Sequence, residues 1–261
     1  MPIFASKVLW VVGLADSGAE SQLLQHAQTA GIGTVCIRST SQRLPDAIGR
    51  FHGKGIKVYA WRWPAVQAST APHHFAPDEA DFVVDKLIPA GLDGYIVDPE
   101  SDTGRAVDDW KKTSLAPLAK AFCARIKSGA AAAGLANFKF GTTSGCSYPN
   151  PNNRPNIPWG EFAAASDLLL PQSYWRVATD SGPAQANGGT PQKAIARGLA
   201  SWGLIAGGKP IVPMAGEIDL VTPAEIAAYG AEMQSKGITE GHFYADAANV
   251  PASILPAIAA L

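Results

Sequence analysis

Leu92-Asp93-Gly94-Tyr95-Ile96-Val97-Asp98-Pro99-Glu100-Ser101 is an apolar run that ends in two carboxylates spaced i, i+2. Side chains of a strand alternate between its faces, so Ile96, Asp98 and Glu100 share one side while Tyr95, Val97 and Pro99 take the other. Read as a strand, the stretch carries both acids at its C-terminal end, pointing the same way.

The flanking sequence repeats a short phrase at Ala30-Gly31-Ile32, Lys54-Gly55-Ile56, Ala90-Gly91-Leu92, Ala133-Gly134-Leu135 and Lys236-Gly237-Ile238. Each copy follows a helix-like stretch and precedes an apolar, β-rich run, the pattern of a glycine that ends a helix in the left-handed region before a new strand begins. The spacing predicts strands over 8–14, 34–39, 57–63, 94–99, 139–143, 167–173, 210–214 and 241–245. Helices are predicted over 18–30, 41–53, 78–89, 104–132, 159–165, 191–206, 223–236 and 251–260. Thr222-Pro223-Ala224-Glu225 carries the capping-box acid and a proline just inside the helix start. Eight alternating strands and helices in 261 residues point to a single α/β domain over 1–261, a (β/α)8 TIM barrel. Val12-Gly13-Leu14-Ala15-Asp16-Ser17-Gly18 matches a dinucleotide-binding loop only loosely, which argues against an open nucleotide-binding sheet.

Composition narrows the partners. The chain is 47% hydrophobic and 16% charged with a net charge of −1, which favours neither disorder nor an electrostatic nucleic-acid binder. No apolar run approaches the roughly 20 residues needed to cross a bilayer, and 1–12 lack the form of a secretory leader. Three cysteines, Cys36, Cys123 and Cys146, show no paired spacing and suggest neither a disulfide framework nor a zinc site. The expectation is a monomer, cytoplasmic as synthesised, with leaderless export left open. No cofactor, metal, nucleic acid or membrane partner is expected.

Long connections rich in Pro, Gly, Asn and Ser follow strands at 63–77, 144–158 and 175–190, whereas segments leading into strands are short. In a barrel the loops after the strands build the functional face, which puts this elaboration beside Asp98 and Glu100. Acids at the end of an apolar strand are costly unless satisfied or used. A purely architectural alternative is a helix cap for one and an arginine partner such as Arg105 for the other.

Asp93-Gly94-x-x-x-Asp98-x-Glu100 resembles the fourth-strand D-G-x-D-x-D-x-E signature of family 18 glycoside hydrolases, the chitinase-type barrels. Ile96 stands at the signature's middle Asp, and Pro99 at its usual aromatic position. The terminal Asp-x-Glu is also similar to the fourth-strand pair of family 25 lysozymes, with Asp16 a stand-in for that family's first-strand acid. Gln172-Ser173-Tyr174 matches the sixth-strand M-x-Y of the chitinase-type barrels in spacing, with Gln replacing Met. The resemblance implies a polysaccharide substrate with β-linked N-acetylated sugars, of chitin or peptidoglycan type. It implies Glu100 as general acid and base, Asp98 as orienter of an N-acetyl group, and Tyr174 as hydrogen-bond donor to the developing intermediate. Such retaining, substrate-assisted hydrolysis needs no second protein nucleophile.

Trp61, Trp63 and Trp175 close strands and would offer aromatic platforms to sugar rings, or else pack against outer helices. Alternation separates Trp61 and Trp63 from Arg62. Arg38 is a candidate partner for the acids, Gln172 and Asp246 candidate substrate contacts, and Glu217 a further carboxylate. His73-His74 lacks a third ligand at fixed spacing, and His26, His52 and His242 are assigned structural roles. Two other readings remain: a non-catalytic barrel that binds carbohydrate or protein, kept open by Ile96, and a metal-dependent hydrolase using Asp98, Glu100 and a third acid.

Overall fold

The structure, a computed structural model, describes residues 2–68, 71, 74–101, 106–179, 181–245 and 250–261. Seven parallel strands form one curled sheet: β1 (Ser6–Val11), β2 (Thr34–Arg38), β3 (Lys57–Arg62), β4 (Gly94–Val97), β5 (Lys139–Gly145), β6 (Leu168–Gln172) and, after a two-residue hairpin β7 (Arg176–Val177) and β8 (Ala184–Gln185), β9 (Glu240–Ala245). The sheet order is β6-β5-β4-β3-β2-β1-β9. All five glycines of the recurring phrase sit at positive φ, between 65° and 104°, a region open to Gly without steric cost.

The predicted seventh strand at 210–214 is an interrupted one. Pro210 and Pro213 cannot donate to a ladder, so only isolated parallel bridges form, Leu169 with Ile211 and Ala215 with Phe243. These still bridge the gap between β6 and β9: Val212 N–H donates to Leu169 O (2.8 Å), Met214 N–H to Pro171 O (2.9 Å) and Ala215 N–H to His242 O (2.8 Å). The result is a TIM-barrel-like α/β fold whose eighth position is a proline-broken run.

Helices α1 (Ser17–Ala30), α2 (Leu44–His52), α3 (Ala76–Phe82), α4 (Ala116–Ala132), α5 (Trp159–Ala165), α6 (Pro191–Trp202), α7 (Pro223–Ser235) and α8 (Leu255–Ala259) surround the sheet. Asp16 is the N-cap of α1, its carboxylate accepting from Ala19 N–H at 2.8 Å, and is thereby occupied as a structural acid. The capping box at Thr222 and Glu225 is formed as the sequence predicts. Predicted helix 104–132 begins later, at Ala116, because Trp110 is drawn into the core instead. Its indole N–H donates to Pro64 O at 2.8 Å, and its backbone N–H to Glu100 O at 3.0 Å.

The strand alternation of β4 holds. Tyr95 points outward, donating to Glu79 of α3 (2.9 Å) and packing against Phe122 of α4, while Ile96 points into the lumen. Small residues make room there: a Cβ on Gly94 would lie 2.8 Å from both Lys139 O and Tyr59 Cδ1, and one on Gly141 would lie 2.7 Å from Ile96 Cδ1. Because the Lys139 carbonyl belongs to the paired strand, Gly94→Ala forces the backbone to shift. It should destabilise the protein by about 1–3 kcal/mol in urea unfolding, and an unchanged midpoint would contradict this packing.

Candidate active site

Regular pairing of β4 stops at Val97, before a proline that has no N–H to offer. Other groups hold the acid-bearing end. Asp98 N–H donates to Arg62 O (2.7 Å), Ser144 Oγ–H donates to Pro99 O (2.8 Å), and Glu100 O accepts from Trp110 N–H (3.0 Å). Asp98 and Glu100 therefore project from a fixed, irregular strand end into a cavity of about 350 Å³. Trp10, Trp61, Trp63, Thr143, Gln172, Tyr174, Met214, Glu217 and Tyr244 complete its lining.

Each acid has one side-chain donor from another element. Gln172 Nε2 donates to Asp98 Oδ2 at 3.2 Å, and Tyr148, on the loop after β5, donates its hydroxyl to Glu100 Oε2 at 3.3 Å. Tyr148 is seated over Gly145, where a Cβ would fall 2.4 Å from its ring, and Arg154 lies 5.4 Å from its ring centroid.

Burial and the charge of Glu100 push the Asp98 carboxyl well above the usual carboxylate range, with the Gln172 donation opposing. Burial raises Glu100 from 4.5 to about 7, against the lowering effects of hydrogen bonds from Asp98, Tyr148 and the Ser101 backbone and of the Arg154 charge. Asp98 Oδ1 is buried with no donor among the described residues. A single proton shared between the two carboxyls would supply such a donor and remove the repulsion of two adjacent anions.

Tyr174 stacks on Tyr244, centroids 5.4 Å apart and planes within 8°. Gly216 permits this, since a Cβ there would come 2.7 Å from the Tyr174 ring. Burial and the neighbouring Tyr244 hold the Tyr174 hydroxyl far above its ordinary pKa, so it remains a donor at physiological pH. Trp10, Trp61 and Trp63 form a continuous aromatic wall, with centroid separations of 6.0 and 5.5 Å, and Trp61 meets Tyr244 edge-on at 6.1 Å.

Seven of the residues singled out from the sequence thus surround one cavity: Asp98, Glu100, Gln172, Tyr174, Trp61, Trp63 and Glu217. Trp175 lies elsewhere, fully buried with its ring 5.8 Å from that of Tyr229 of α7. Arg38 is not among the described residues that line this cavity; its guanidinium sits 5.2 Å from the Trp63 ring centroid. Asp246, Arg105 and His73 fall outside the described residues. Sequence reasoning missed Trp10, Tyr148 and Tyr244 and gave Glu217 little weight. Alternation along β9 was a usable signal for Tyr244; Tyr148, on an irregular loop, left none. Among the described residues no group of three His, Cys, Asp or Glu is arranged to hold a metal ion, and no helix is long and apolar enough to cross a membrane.

No family model matches the sequence, and no curated protein is similar to it in sequence. Solved structures are similar in fold. A class V chitinase from Pseudomonas fluorescens Pf-5 superposes with a TM-score of 0.63 at 12% identity, over 97% of this chain and 98% of that one. A glycoside hydrolase family 18 N-acetylglucosaminidase from Paenibacillus barengoltzii gives 0.60 at 10% identity, over 97% and 99%. The spore cortex-lytic enzyme SleL of Bacillus megaterium QM B1551 gives 0.62 at 8% identity, over 97% and 73%. At these identities the likeness is one of fold.

The carboxyl pair makes stability depend on pH with a definite sign. In the unfolded chain the acids release their protons near the ordinary carboxylate value, whereas folded Glu100 retains its proton to about 7. The contribution is therefore most favourable below the unfolded value and is lost as the pH rises towards 7. The double substitution Asp98→Asn/Glu100→Gln should flatten the stability profile between about pH 4.5 and 7 and leave a protein more stable than the parent at pH 8. Parallel profiles for the two proteins in denaturant titrations would contradict the shared-proton reading.

Proposed function

We propose that the protein is a glycoside hydrolase acting on a polysaccharide with β-linked N-acetylated sugars, of chitin or peptidoglycan type. The observation that carries this reading is the protonatable Glu100, held near neutrality beside Asp98 at the C-terminal end of β4 in an aromatic cavity. That strand end is where barrel enzymes carry their chemistry, and the fold is shared with proteins described as chitinases and as an N-acetylglucosaminidase.

The steps follow from the positions. Protonated Glu100 donates to the glycosidic oxygen as the C–O bond breaks and the leaving sugar departs as an alcohol. The acetamido oxygen of the retained sugar attacks the anomeric carbon, so the nucleophile comes from the substrate. Asp98 accepts from the acetamido N–H and takes up the positive charge that develops there; Tyr174 donates to the same group. Glu100, now a carboxylate, removes a proton from the incoming water, whose oxygen bonds to the anomeric carbon as the bond from that carbon to the acetamido oxygen breaks and the neutral acetamido group is restored, with net retention. Trp10, Trp61, Trp63 and Tyr244 offer apolar faces to the C–H edges of the sugar.

Ile96 replaces an acid of the resembling signature, which favours a second reading as a carbohydrate-binding barrel without turnover. One comparison separates the two. Incubated with chito-oligosaccharides or peptidoglycan, the parent protein should release new reducing ends, and Glu100→Gln should reduce the rate by about 10²-fold or more. Activity that survives the substitution would remove Glu100 from its role. Sugar binding without turnover in both proteins would establish the binding reading instead.

A further inference from the structure

Behind Trp63 lies a second cavity of about 320 Å³, lined by Arg38, Thr40, Arg62, Trp63, Ala71 and His74. Trp63 borders both this space and the acid-bearing one, so a single indole divides them. No carboxylate is among the described residues that line it, whereas two guanidinium groups are.

Arg62 alternates with Trp61 and Trp63 and points away from the acids, as its place in β3 requires. It is only 4% exposed. Its Nη2 donates to His74 Nδ1 at 2.8 Å, and His74 Nε2 then donates to the buried Asp108 Oδ1 at 2.6 Å. The imidazole therefore consumes one N–H of Arg62 and passes it no negative charge. Among the described residues, Arg62 Nε and Nη1 have no acceptor, and neither has Thr40 Oγ1. Buried N–H groups of a guanidinium left unpaired are costly, and Arg62 is such an incompletely satisfied cation beside the candidate active site. Arg38, lying over Trp63, adds positive charge to the same space.

We propose that this cavity is an anion subsite for a carboxylate carried on the glycan, which makes the substrate an acidic N-acetylated polymer, bearing a lactyl ether or uronic acid, and not a neutral one. The inference rests on the glycan-cleaving reading of the neighbouring cavity. A carboxylate suits the site because the planar guanidinium fork presents its N–H groups in pairs and the Thr40 hydroxyl supplies a further donor.

The test uses N-acetylmuramic acid and its methyl ester as probes, which differ by one negative charge and one methyl group, with binding followed through the tryptophan and arginine side-chain N–H signals in NMR. The acid should bind at least about tenfold more tightly than the ester and shift an arginine Nε–H resonance that Arg62→Lys abolishes. Since Arg62 is buried and its variant may not fold, Arg38→Gln and Thr40→Val provide a second arm: in each the acid-to-ester affinity ratio should fall towards one. Equal affinities for acid and ester, or binding of neither, overturn the subsite. The readout needs no turnover, so the outcomes separate: a failed reducing-end assay with the acid preference intact removes the hydrolase reading alone, and cleavage without that preference removes the subsite alone.

Discussion

Two carboxyls that share one face of a strand end, Asp98 buried and Glu100 partly so, are the constraint on which the rest of this site depends. Side by side in a low-dielectric cavity they cannot both ionise without a large cost, and neither can remain without donors. The surroundings answer each requirement with a particular group: Gln172 from β6 for Asp98, Tyr148 from the loop after β5 for Glu100, and backbone bonds to Arg62, Ser144 and Trp110 that fix the intervening proline. Asp98 Oδ1, left without a donor among the described residues, would be satisfied by a proton shared with Glu100. Such a proton would be available for donation near neutral pH, which is what the proposed chemistry requires.

The two departures from the chitinase-type signature belong together in this light. Ile96 fills the lumen below Asp98, in contact range of Gly141, where the signature would place another acid. Gln172 stands where the signature has methionine and supplies an amide donor to Asp98. With no acid beneath it to share a proton, Asp98 is held by an amide from the side. The aromatic wall is also recomposed: Tyr244, stacked on Tyr174, occupies the end of the last strand.

Much of this was legible in the sequence because two local rules are strict. Glycine in the left-handed region ends helices, and all five recurring glycines do so; alternation assigned Ile96, Asp98 and Glu100 to the lumen and Tyr95 to the helices. The same alternation, counted from Tyr174, puts Trp175 on the outer face, and the structure does so. Its position at a strand end was the weaker guide. The seventh strand was overread because its apolar content outweighed two prolines. Tyr148 depended on how a loop packs against neighbouring strands, which no local period encodes.

The central claim concerns one proton, and it can be observed directly. With ¹³C-labelled glutamate, the Glu100 side-chain carboxyl can be assigned by its loss in Glu100→Gln and followed through a pH titration by NMR. The account predicts a midpoint at about 7, moving higher in Tyr148→Phe, where the hydroxyl donor to the ionised form is lost. A midpoint at the ordinary carboxylate value, unaffected by Tyr148, would contradict it.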